Sequence, residues 1–320
     1  MLLRPRRERN ISLKALQLIK GALLPDRPLV RHASTLTQIE APTLSSSKDS
    51  SHIDAIHARL TANGVAKIRL GFADTKCQYL EQLIRQLHTN YGHGLPIDHS
   101  ASRGWFWDVR PTLADTVQTS STSPTSISSF QARSETMESF PWHTDCSYES
   151  SPPRYFALQV LQPDRCYGGI LSILSVDQIL KTLSPLALKT LSKPEFRIDV
   201  PPEFIKNDSE TYIVGSLLLL PRFGSKSLTI GQLRFREDII TPLTKKAKSA
   251  LEELKGVLNG PEVRPAIIRL SPEQLPEGSV LLIDNRRWLH ARNEVKDPNR
   301  HLRRVRWDAT PFNAEGNLGS

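Results

Sequence analysis

The 320-residue chain has only three cysteines, Cys77, Cys146 and Cys166, and none of their spacings is that of a metal-binding pair. A small, odd number of cysteines argues against a disulfide framework and is typical of a reducing compartment. The sequence also lacks any apolar run of the ~18 residues that a membrane span needs. We therefore expect no membrane-spanning segment. Its longest apolar stretches, residues 216–221 and 279–284, have the length of strands.

The chain beyond its first 40 residues also lacks a strong excess of basic residues, although the formal net charge of the whole chain is +9. Residues 1–40 hold eight Arg or Lys residues and three acids, a net +5, which leaves +4 for the other 280 residues. That modest excess needs no polyanion to explain it, and no nucleic-acid-binding motif is present. A basic nucleic-acid-binding protein is the disfavoured alternative, and it would bind with a steep salt dependence.

The first 40 residues are rich in Arg, Leu and Ser and poor in acids. Four apolar residues between Leu13 and Leu23 recur at three- and four-residue steps, which indicates one face of a helix. A basic amphipathic segment of this kind is typical of a mitochondrial transit peptide. We expect residues 1–40 to be a targeting leader and residues 41–320 to be one domain in the mitochondrial matrix. An ordinary basic tail on a cytoplasmic protein is the alternative.

The domain that follows has two helical patterns near its start and many short strands after them. Apolar spacing predicts helices over 51–64 and 74–94, with a strand over 65–72 between them. Further helices are predicted within 176–191 and 241–258. Most other segments are short β-rich runs separated by turn signals. The sequence therefore predicts a mainly β, α+β fold with flanking helices, built on a barrel or jelly roll.

The most informative pattern is His143-Thr-Asp145, in the stretch "FPWHTDCSYE". On a strand, residues i and i+2 point to the same face, so an imidazole and a carboxylate can converge there on a metal ion. An earlier copy, His52-Ile-Asp54, lies in a predicted helix, where residues two apart diverge by roughly 200°. We expect only the later copy to chelate. The alternative is that His143 and Asp145 are solvated loop residues.

His290 is the best candidate for a third ligand, because it follows the apolar strand-like run that ends in "VLLIDNRRWLH". Two histidines and one carboxylate on a β-framework form the facial arrangement of non-haem Fe(II) oxygenases, which leaves coordination positions open. Arg303, Arg304 and Arg306 follow shortly after. A guanidinium group matches a carboxylate bidentately, so this cluster predicts a site for a dicarboxylate cosubstrate. A basic strand edge facing water is the alternative.

In combination, His143-Thr-Asp145, "LLIDNRRWLH" and "HLRRVRW" resemble the TauD/TfdA (taurine dioxygenase-like, clavaminate synthase-like) Fe(II)/2-oxoglutarate-dependent oxygenases, from about residue 64 to about 312. The resemblance implies a double-stranded β-helix (jelly-roll, cupin-like) core with iron held by His143, Asp145 and His290. It implies that 2-oxoglutarate and O₂ are consumed while a C–H bond of a small molecule is oxidised, with succinate and CO₂ as co-products. We expect no nucleic-acid or membrane partner.

The resemblance also implies that an arginine holds the distal carboxylate of 2-oxoglutarate. We assign this role to Arg304, with Arg303 as the alternative. Arg306 shares a face with Arg304 and is predicted to help hold the cosubstrate or an anionic substrate.

The segment "YGGILS" (167–172) resembles the Gly-Gly turn of that family, with one departure. Ile170 and Leu171 stand where relatives have a threonine that helps bind 2-oxoglutarate, which predicts a rearranged or weaker cosubstrate site. Asp145 favours hydroxylase-type chemistry, since halogenating relatives lack that carboxylate. A metal-binding jelly roll without oxygenase activity is the main alternative function.

Further candidates lie outside these motifs. The segment 99–111 holds two tryptophans and two arginines (Arg103, Trp105, Trp107 and Arg110) and is predicted to form a substrate lid, with packed surface aromatics as the alternative. Three residues after the ligand pair are candidate substrate contacts: Tyr148, Glu149 and Arg154. Residues 232–238 read as a structural strand.

Overall fold

The computed structural model describes residues 36–98, 104–111, 132–205, 209–220 and 231–312. Most of the predicted leader, residues 1–35, and Arg103 of the predicted lid lie outside these ranges. Within the described ranges, no helix is long and apolar enough to cross a lipid bilayer.

The strands in the described residues are β1 Gln38–Ala41, β2 Val65–Leu70, β3 Phe106–Val109, β4 Phe140–His143, β5 Pro153–Gln162, β6 Leu171–Ser175, β7 Phe196–Asp199, β8 Tyr212–Gly215, β9 Leu218–Leu219, β10 Gln232–Leu233, β11 Ile240–Pro242, β12 Ile268–Leu270, β13 Ser279–Asp284, β14 Trp288–Arg292 and β15 His301–Ala309. The α-helices are α1 Ser50–Asn63, α2 Gln78–Tyr91, α3 Val176–Thr182, α4 Pro185–Leu191 and α5 Lys245–Asn259.

Two sheets form the centre of the domain. One has six strands in the order β1-β2-β13-β5-β15-β3, and the other has four in the order β12-β6-β14-β4. Neighbouring strands pair antiparallel except β1 and β2, which are parallel. Because the two sheets enclose a shared apolar interior, the arrangement is that of a jelly roll, and the predicted mainly β, α+β fold is confirmed.

Side-chain alternation along the strands separates three apolar layers. The interior between the sheets contains side chains of both, among them Val65, Trp107, Phe156, Val160, Ile173, Leu281 and Leu302. The opposite face of the six-stranded sheet is covered by α1 and α2. The opposite face of the four-stranded sheet packs against α3, α4, α5 and the two smaller sheets, β11-β7-β8 and β10-β9. Burial of this apolar surface is the main force that holds the layers together.

The helices follow local signals in the sequence. Asp49 accepts a hydrogen bond from the backbone N–H of His52 at the start of α1, and Gly64 ends that helix in the left-handed region at φ 73°. The predicted helices near 51–64, 74–94 and 241–258 are confirmed. The predicted helix within 176–191 is two helices, because Ser184 caps a new helix and Pro185 begins it.

Candidate metal centre and its cavities

Strand pairing brings the two predicted histidine ligands together. His143 is the last residue of β4, and its register partner on β14 is His290. Both side chains point into the interior between the sheets, where their ring centroids lie 4.1 Å apart. Phe156 from the facing sheet packs on His290 with the ring centroids 4.6 Å apart. The backbone of the four-stranded sheet therefore fixes the position of both imidazoles.

Asp145 lies just beyond the end of β4 and is held by a buried amide. The Asn285 Oδ1 accepts a hydrogen bond from the backbone N–H of Asp145 at 2.7 Å. The Nδ2 of the same side chain donates to the carbonyls of Asp145 and Pro153, at 2.9 Å each. Asn285 follows β13 and precedes β14, so one side chain ties the Asp145 loop to the strands around His290.

The carboxylate of Asp145 lies between the two imidazoles. Its Oδ1 is 3.8 Å from His143 Nε2 and 3.5 Å from His290 Nε2. The candidate ligand atoms of the three residues lie within 4.8 Å of one another, and all three residues are buried. Two imidazoles and one carboxylate with this convergence can hold a divalent transition metal and leave positions open for other ligands.

Hydrogen bonding leaves the Nε2 atom of His143 free to bind a metal. Its Nδ1 lies 2.8 Å from the carbonyl of Pro141, and a carbonyl only accepts, so Nδ1 carries the proton. Burial, reinforced by the neighbouring His290, lowers the pKa of His143 well below its ordinary value. The imidazole is therefore neutral at neutral pH, as metal binding requires.

Asp145 is kept ionised by a buried arginine. Arg304 Nη1 lies 3.3 Å from Oδ1 and 3.2 Å from Oδ2 of Asp145. Burial alone would raise the pKa of Asp145, but Arg304, a hydrogen bond with His290 and the charge of Arg306 lower it well below its ordinary value. The carboxylate is thus available as an anionic ligand.

The three predicted arginines divide between the two faces of β15. Arg304 and Arg306 are buried and point into the interior, whereas Arg303 points to the opposite face. There the Arg303 side chain donates to Asp108 Oδ1 at 2.8 Å and to the carbonyl of Thr75 at 3.0 Å. The structure therefore does not bring Arg303 to the predicted site, because neighbouring residues on a strand face opposite ways.

The earlier His-x-Asp copy lies on α1, as expected. His52 Nε2 is hydrogen bonded to the hydroxyl of Tyr79 at 2.7 Å, and Asp54 accepts a hydrogen bond from the hydroxyl of Tyr91. Both partners belong to α2. This copy fastens one helix to another and contributes no metal ligand.

A cavity, which we call the outer cavity, opens over the metal centre. Its lining residues are Ala132, Arg133, Ser134, Phe140, His143, Thr144, Asp145, Cys146, Tyr148, Glu203, Phe204, Arg236, Arg304 and Arg306. The lining includes Tyr148, one of the predicted substrate contacts. Arg154 does not line this cavity, and its Nε lies 3.6 Å from Asp284 Oδ2.

Sequence reasoning missed several of these residues. Arg236 belongs to the segment interpreted as structural, and Arg133 and Glu203 have no motif around them. The predicted lid tryptophans also lie elsewhere: Trp105 packs under Arg85, and Trp107 is buried in the interior on β3. The backbone of Arg236 forms an isolated β-bridge with His143, a tertiary contact that leaves no signal in the sequence.

A second cavity, which we call the inner cavity, is lined by residues of both sheets and of the loops around 163–169 and 271–275. Leucine, valine and proline side chains form most of its wall, and Arg300 lines it as well. Arg300 is only 4% exposed, and its Nη1 has no hydrogen-bond partner among the described residues. Burial, together with the nearby charge of Arg292, lowers the pKa of Arg300 to about 9. The carboxylate of Asp164, which lines the same cavity, offsets part of this lowering, but burying a guanidinium group remains costly.

Comparison with known proteins agrees with this geometry. The sequence profile of the family described as "Taurine catabolism dioxygenase TauD, TfdA family" matches residues 26–306. No curated protein matches the chain.

Solved structures supply the remaining comparisons. An asparagine oxygenase in complex with Fe(II), 2S,3S-3-hydroxyasparagine and succinate superposes with a TM-score of 0.57 at 18% identity, covering 93% of this chain and 91% of that one. The non-heme iron oxygenase OrfP in complex with Fe and alpha-ketoglutaric acid superposes with a TM-score of 0.56 at 16% identity, covering 92% and 90%. At these identities the likeness shows a shared fold.

Proposed function

The chain belongs to the TauD/TfdA family of dioxygenases, and on that premise we propose that it oxidises a C–H bond of a small-molecule substrate. It is a non-haem oxidoreductase that depends on Fe(II), 2-oxoglutarate and O₂. The proposed co-products are succinate and CO₂. The observation that carries the proposal is the buried convergence of His143, Asp145 and His290 at the floor of a cavity.

The residues present fit a ferrous ion. Two imidazoles and an ionised carboxylate are ligands that suit this metal, and they would leave positions open for other ligands. When bound, the iron supplies the oxidative chemistry together with 2-oxoglutarate and O₂. The chain holds His143 in one tautomer through Pro141, fixes Asp145 through Asn285, and keeps bulk water from all three ligands by burial.

We assign the two ends of 2-oxoglutarate to two different arginines. Arg304 was predicted from the sequence to hold the distal carboxylate, yet its guanidinium group lies against Asp145, at the metal end of the site. Arg300 lies farther from the metal ligands and faces the inner cavity. We propose that Arg300 holds the distal carboxylate and that Arg304 orients Asp145 and the end of the cosubstrate nearest the metal.

Strand geometry supports this assignment. Phe156, Ile173 and Arg304 surround the metal centre, and the inner-cavity residues Leu158, Leu171 and Leu302 each lie two positions along the same strands. Two residues along a strand advance by about 7 Å on the same face. The terminal carbons of a five-carbon dicarboxylate are ~5 Å apart, given four bonds of ~1.5 Å. A cosubstrate chelated at the metal centre therefore reaches the beginning of the inner cavity.

The Gly-Gly turn, where Ile170 and Leu171 stand in place of the threonine of relatives, borders the inner cavity. Leu171 lines the inner cavity with its side chain in the interior, whereas Ser172 alternates to the other face. No hydroxyl from this turn faces the cavity at Leu171. We infer that Arg300 holds the distal carboxylate without the additional hydroxyl that the threonine of relatives supplies.

The test is an anaerobic titration of the Fe(II)-loaded protein with 2-oxoglutarate, followed by succinate release against a metabolite panel. The proposal predicts a 2-oxoglutarate-dependent absorption band that saturates at one equivalent. It also predicts that one or more metabolites accelerate succinate formation. A protein that binds iron but shows neither band nor succinate is instead a metal-binding jelly roll without oxygenase activity.

Mitochondrial targeting by residues 1–40 is a further proposal, supported by the composition of that segment. A fluorescent fusion of residues 1–45 should accumulate in mitochondria. A purely cytosolic signal would contradict it.

A further inference from the structure

Five rings form a continuous column on the helical side of the six-stranded sheet, and none of them lines either cavity. The column begins at Trp307 on β15 and continues through Tyr155 on β5. It then passes His93, which follows α2, and His57 on α1, and it ends at Tyr91, the last residue of α2. We call this set the aromatic column.

Each ring of the aromatic column contacts the next. The ring centroids of Trp307 and Tyr155 lie 5.4 Å apart, and those of Tyr155 and His93 lie 4.8 Å apart. The centroids of His93 and His57 are 5.5 Å apart, and His57 stacks on Tyr91 at 3.7 Å. Trp307 Nε1 also donates a hydrogen bond to His93 Nδ1 at 3.2 Å. Rings at such distances are in contact, so the column is a path of short steps for an electron.

The inner end of the column lies one sheet thickness from the metal centre. Phe156, whose ring packs on His290, follows Tyr155 on β5, and the two side chains project to opposite faces of the sheet. Trp307 follows Arg306 on β15 in the same way, and it pairs with Tyr155. Packed layers lie ~10 Å apart, so an electron crosses about that distance between the metal ligands and the column.

The outer end of the column is suited to losing an electron. Tyr91 is partly exposed, and its hydroxyl donates a hydrogen bond to the carboxylate of Asp54. A phenol gives up an electron more readily when a base within hydrogen-bond reach takes its proton. Asp54 is such a base, and it is exposed to solvent, to which it can pass the proton on.

The charges beside the column permit this transfer. Both linking imidazoles are neutral at neutral pH, because burial lowers the pKa of His93 to about 4 and that of His57 below its ordinary value. The Arg154 guanidinium group lies over the Tyr155 ring at 5.0 Å, but its Nε is 3.6 Å from Asp284 Oδ2, which offsets its charge. An electron vacancy therefore meets no unpaired positive charge among these residues.

We propose that the aromatic column is an electron relay that protects the metal centre when 2-oxoglutarate and O₂ react before a substrate is bound. This inference rests on the proposed oxygenase function. In that event succinate and CO₂ still form, and the centre retains two oxidising equivalents that a substrate C–H bond would otherwise consume. One electron drawn from Tyr91 through the column consumes the first equivalent, and the iron keeps the second as Fe(III).

The step balances in electrons and protons. Tyr91 loses one electron to the column and its phenolic proton to Asp54, and it becomes a neutral tyrosyl radical. The metal centre gains that electron and takes two protons from solvent, so the remaining oxygen atom of O₂ leaves as water. A soluble thiol or ascorbate then restores the phenol of the partly exposed Tyr91, and a second electron from the same reductant returns the iron to Fe(II).

The experiment uses the full chain loaded with Fe(II) and one equivalent of 2-oxoglutarate, mixed with O₂ without any added substrate. Rapidly frozen samples are examined by electron paramagnetic resonance, and succinate is measured in the same samples. The natural chain should show a tyrosyl radical, and its hyperfine splitting should narrow when the protein carries ring-deuterated tyrosine.

Two variants and a control locate the radical. Tyr91→Phe keeps the ring but removes the phenol, so the tyrosyl signal should be lost while the succinate yield of the first turnover is unchanged. Tyr155→Phe interrupts the column in its buried middle and keeps the ring, so the signal from Tyr91 should fall several-fold. Tyr167→Phe is the matched control and should leave the signal unchanged, since Tyr167 is 79% exposed and lies on the Gly-Gly turn, outside the column.

The protective role has a readout of its own. Repeated turnover without substrate should inactivate Tyr91→Phe several-fold faster, per succinate formed, than the natural chain. Peptide mass spectrometry should then find added oxygen on side chains of the outer cavity, such as Phe140 or Tyr148.

An unchanged radical in Tyr91→Phe, succinate formed with no radical, or equal inactivation of Tyr91→Phe and the natural chain would overturn the inference. A 2-oxoglutarate-dependent absorption band without any succinate would overturn it too, because no oxidising equivalent would then form in the absence of substrate. A failure of the proposed function looks different, since neither the band nor succinate would appear even with the metabolite panel added.

Discussion

The chain contains the same three-residue pattern twice, and the two copies have different fates. His52-Ile-Asp54 lies on α1, where its side chains diverge and bond to Tyr79 and Tyr91. His143-Thr-Asp145 leaves β4 at the mouth of the sandwich, where its side chains converge with His290. The spacing of the pattern is identical, so the difference comes from the backbone that carries it. A motif of two residues becomes a site only when the local structure aims both side chains at one point.

Two adjacent arginines show the same effect of side-chain direction. Arg303 and Arg304 are neighbours in sequence, but the first pairs with Asp108 outside the interior and the second pairs with Asp145 inside it. Side-chain direction, and not proximity along the chain, decides which residues take part in the site.

The most severe test of the two copies removes one carboxylate from each. Asp145→Ala should lower iron affinity and succinate formation by more than about 100-fold, since loss of a ligand exceeds the effect of losing its supporting partner. Asp54→Ala should leave both unchanged and cost only a modest part of the stability. Iron content and succinate release measure the effect. Full succinate production by Asp145→Ala would remove the later copy from the proposed mechanism.

A second test asks which arginine near the His143-Thr-Asp145 copy binds the distal carboxylate of 2-oxoglutarate. Arg300→Gln should weaken 2-oxoglutarate binding about 10- to 100-fold, because a charged hydrogen bond contributes roughly 1.5–3 kcal/mol. Arg303→Gln, on the other face of β15, is the matched control and should change it less than about twofold. The readout is the anaerobic titration. If Arg304→Gln weakens binding and Arg300→Gln does not, the distal carboxylate belongs to Arg304.

A third test removes the side-chain amide of Asn285, which fixes the backbone of Asp145 in the later copy. Asn285→Ala leaves the N–H and carbonyl of Asp145 without their partner, which should cost about 1–3 kcal/mol of unfolding free energy. Iron affinity should fall about 10- to 100-fold, as expected when a supporting contact is lost. Asn293→Ala is the control, because Asn293 makes a similar bond to Ile170 away from the metal centre. Denaturant melts and iron titrations that do not distinguish the two variants would contradict this account.

The smallest effect concerns the helical layer that holds the earlier copy. Burial lowers the pKa of His93 to about 4, and Trp307 Nε1 donates to its Nδ1 at 3.2 Å. In the unfolded chain this histidine has the ordinary pKa of about 6.5, so the unfolded state binds more protons between these values. Stability should therefore decline as pH falls from about 6.5 to 4.

The comparison for that pH effect is His93→Gln. Its denaturant midpoint should vary less over the same pH range than that of the natural chain. An equally steep decline in the variant would assign the effect to other groups, whereas activity at neutral pH tests nothing in this layer.

The sequence supported much of the fold because the local signals were strong. Caps and apolar spacing located α1, α2 and α5, and short β-rich runs indicated a jelly roll. The candidate ligands could be predicted for a similar reason, since His143 and Asp145 are two residues apart and His290 follows a clear core strand. What the sequence did not specify was the outer cavity, whose residues come from distant segments. Arg133, Glu203 and Arg236 meet there only through tertiary packing.

The inner cavity shows a different limit. Arg300 looks like one more basic residue in an arginine-rich segment, and the pairing of β15 with β5 is irregular between His301 and Leu302. Because a bulge resets the alternation of side chains, counting residues back from Arg304 does not establish where Arg300 points. Its burial beside the inner cavity, with Nη1 lacking a hydrogen-bond partner among the described residues, is visible only in the folded molecule.

The hydrogen bonds between Asn285 and the backbone of Asp145 join residues that are 140 positions apart in the chain. Contacts of such long sequence separation form only after the intervening segments have been ordered, because closing a large loop costs entropy before it is rewarded. A ribosome that has just added Asp145 has made two of the three ligands, but not yet His290, Asn285 or Arg304. The emerging polypeptide must therefore wait for nearly its whole length before it can take up metal, so loading is an event that follows synthesis.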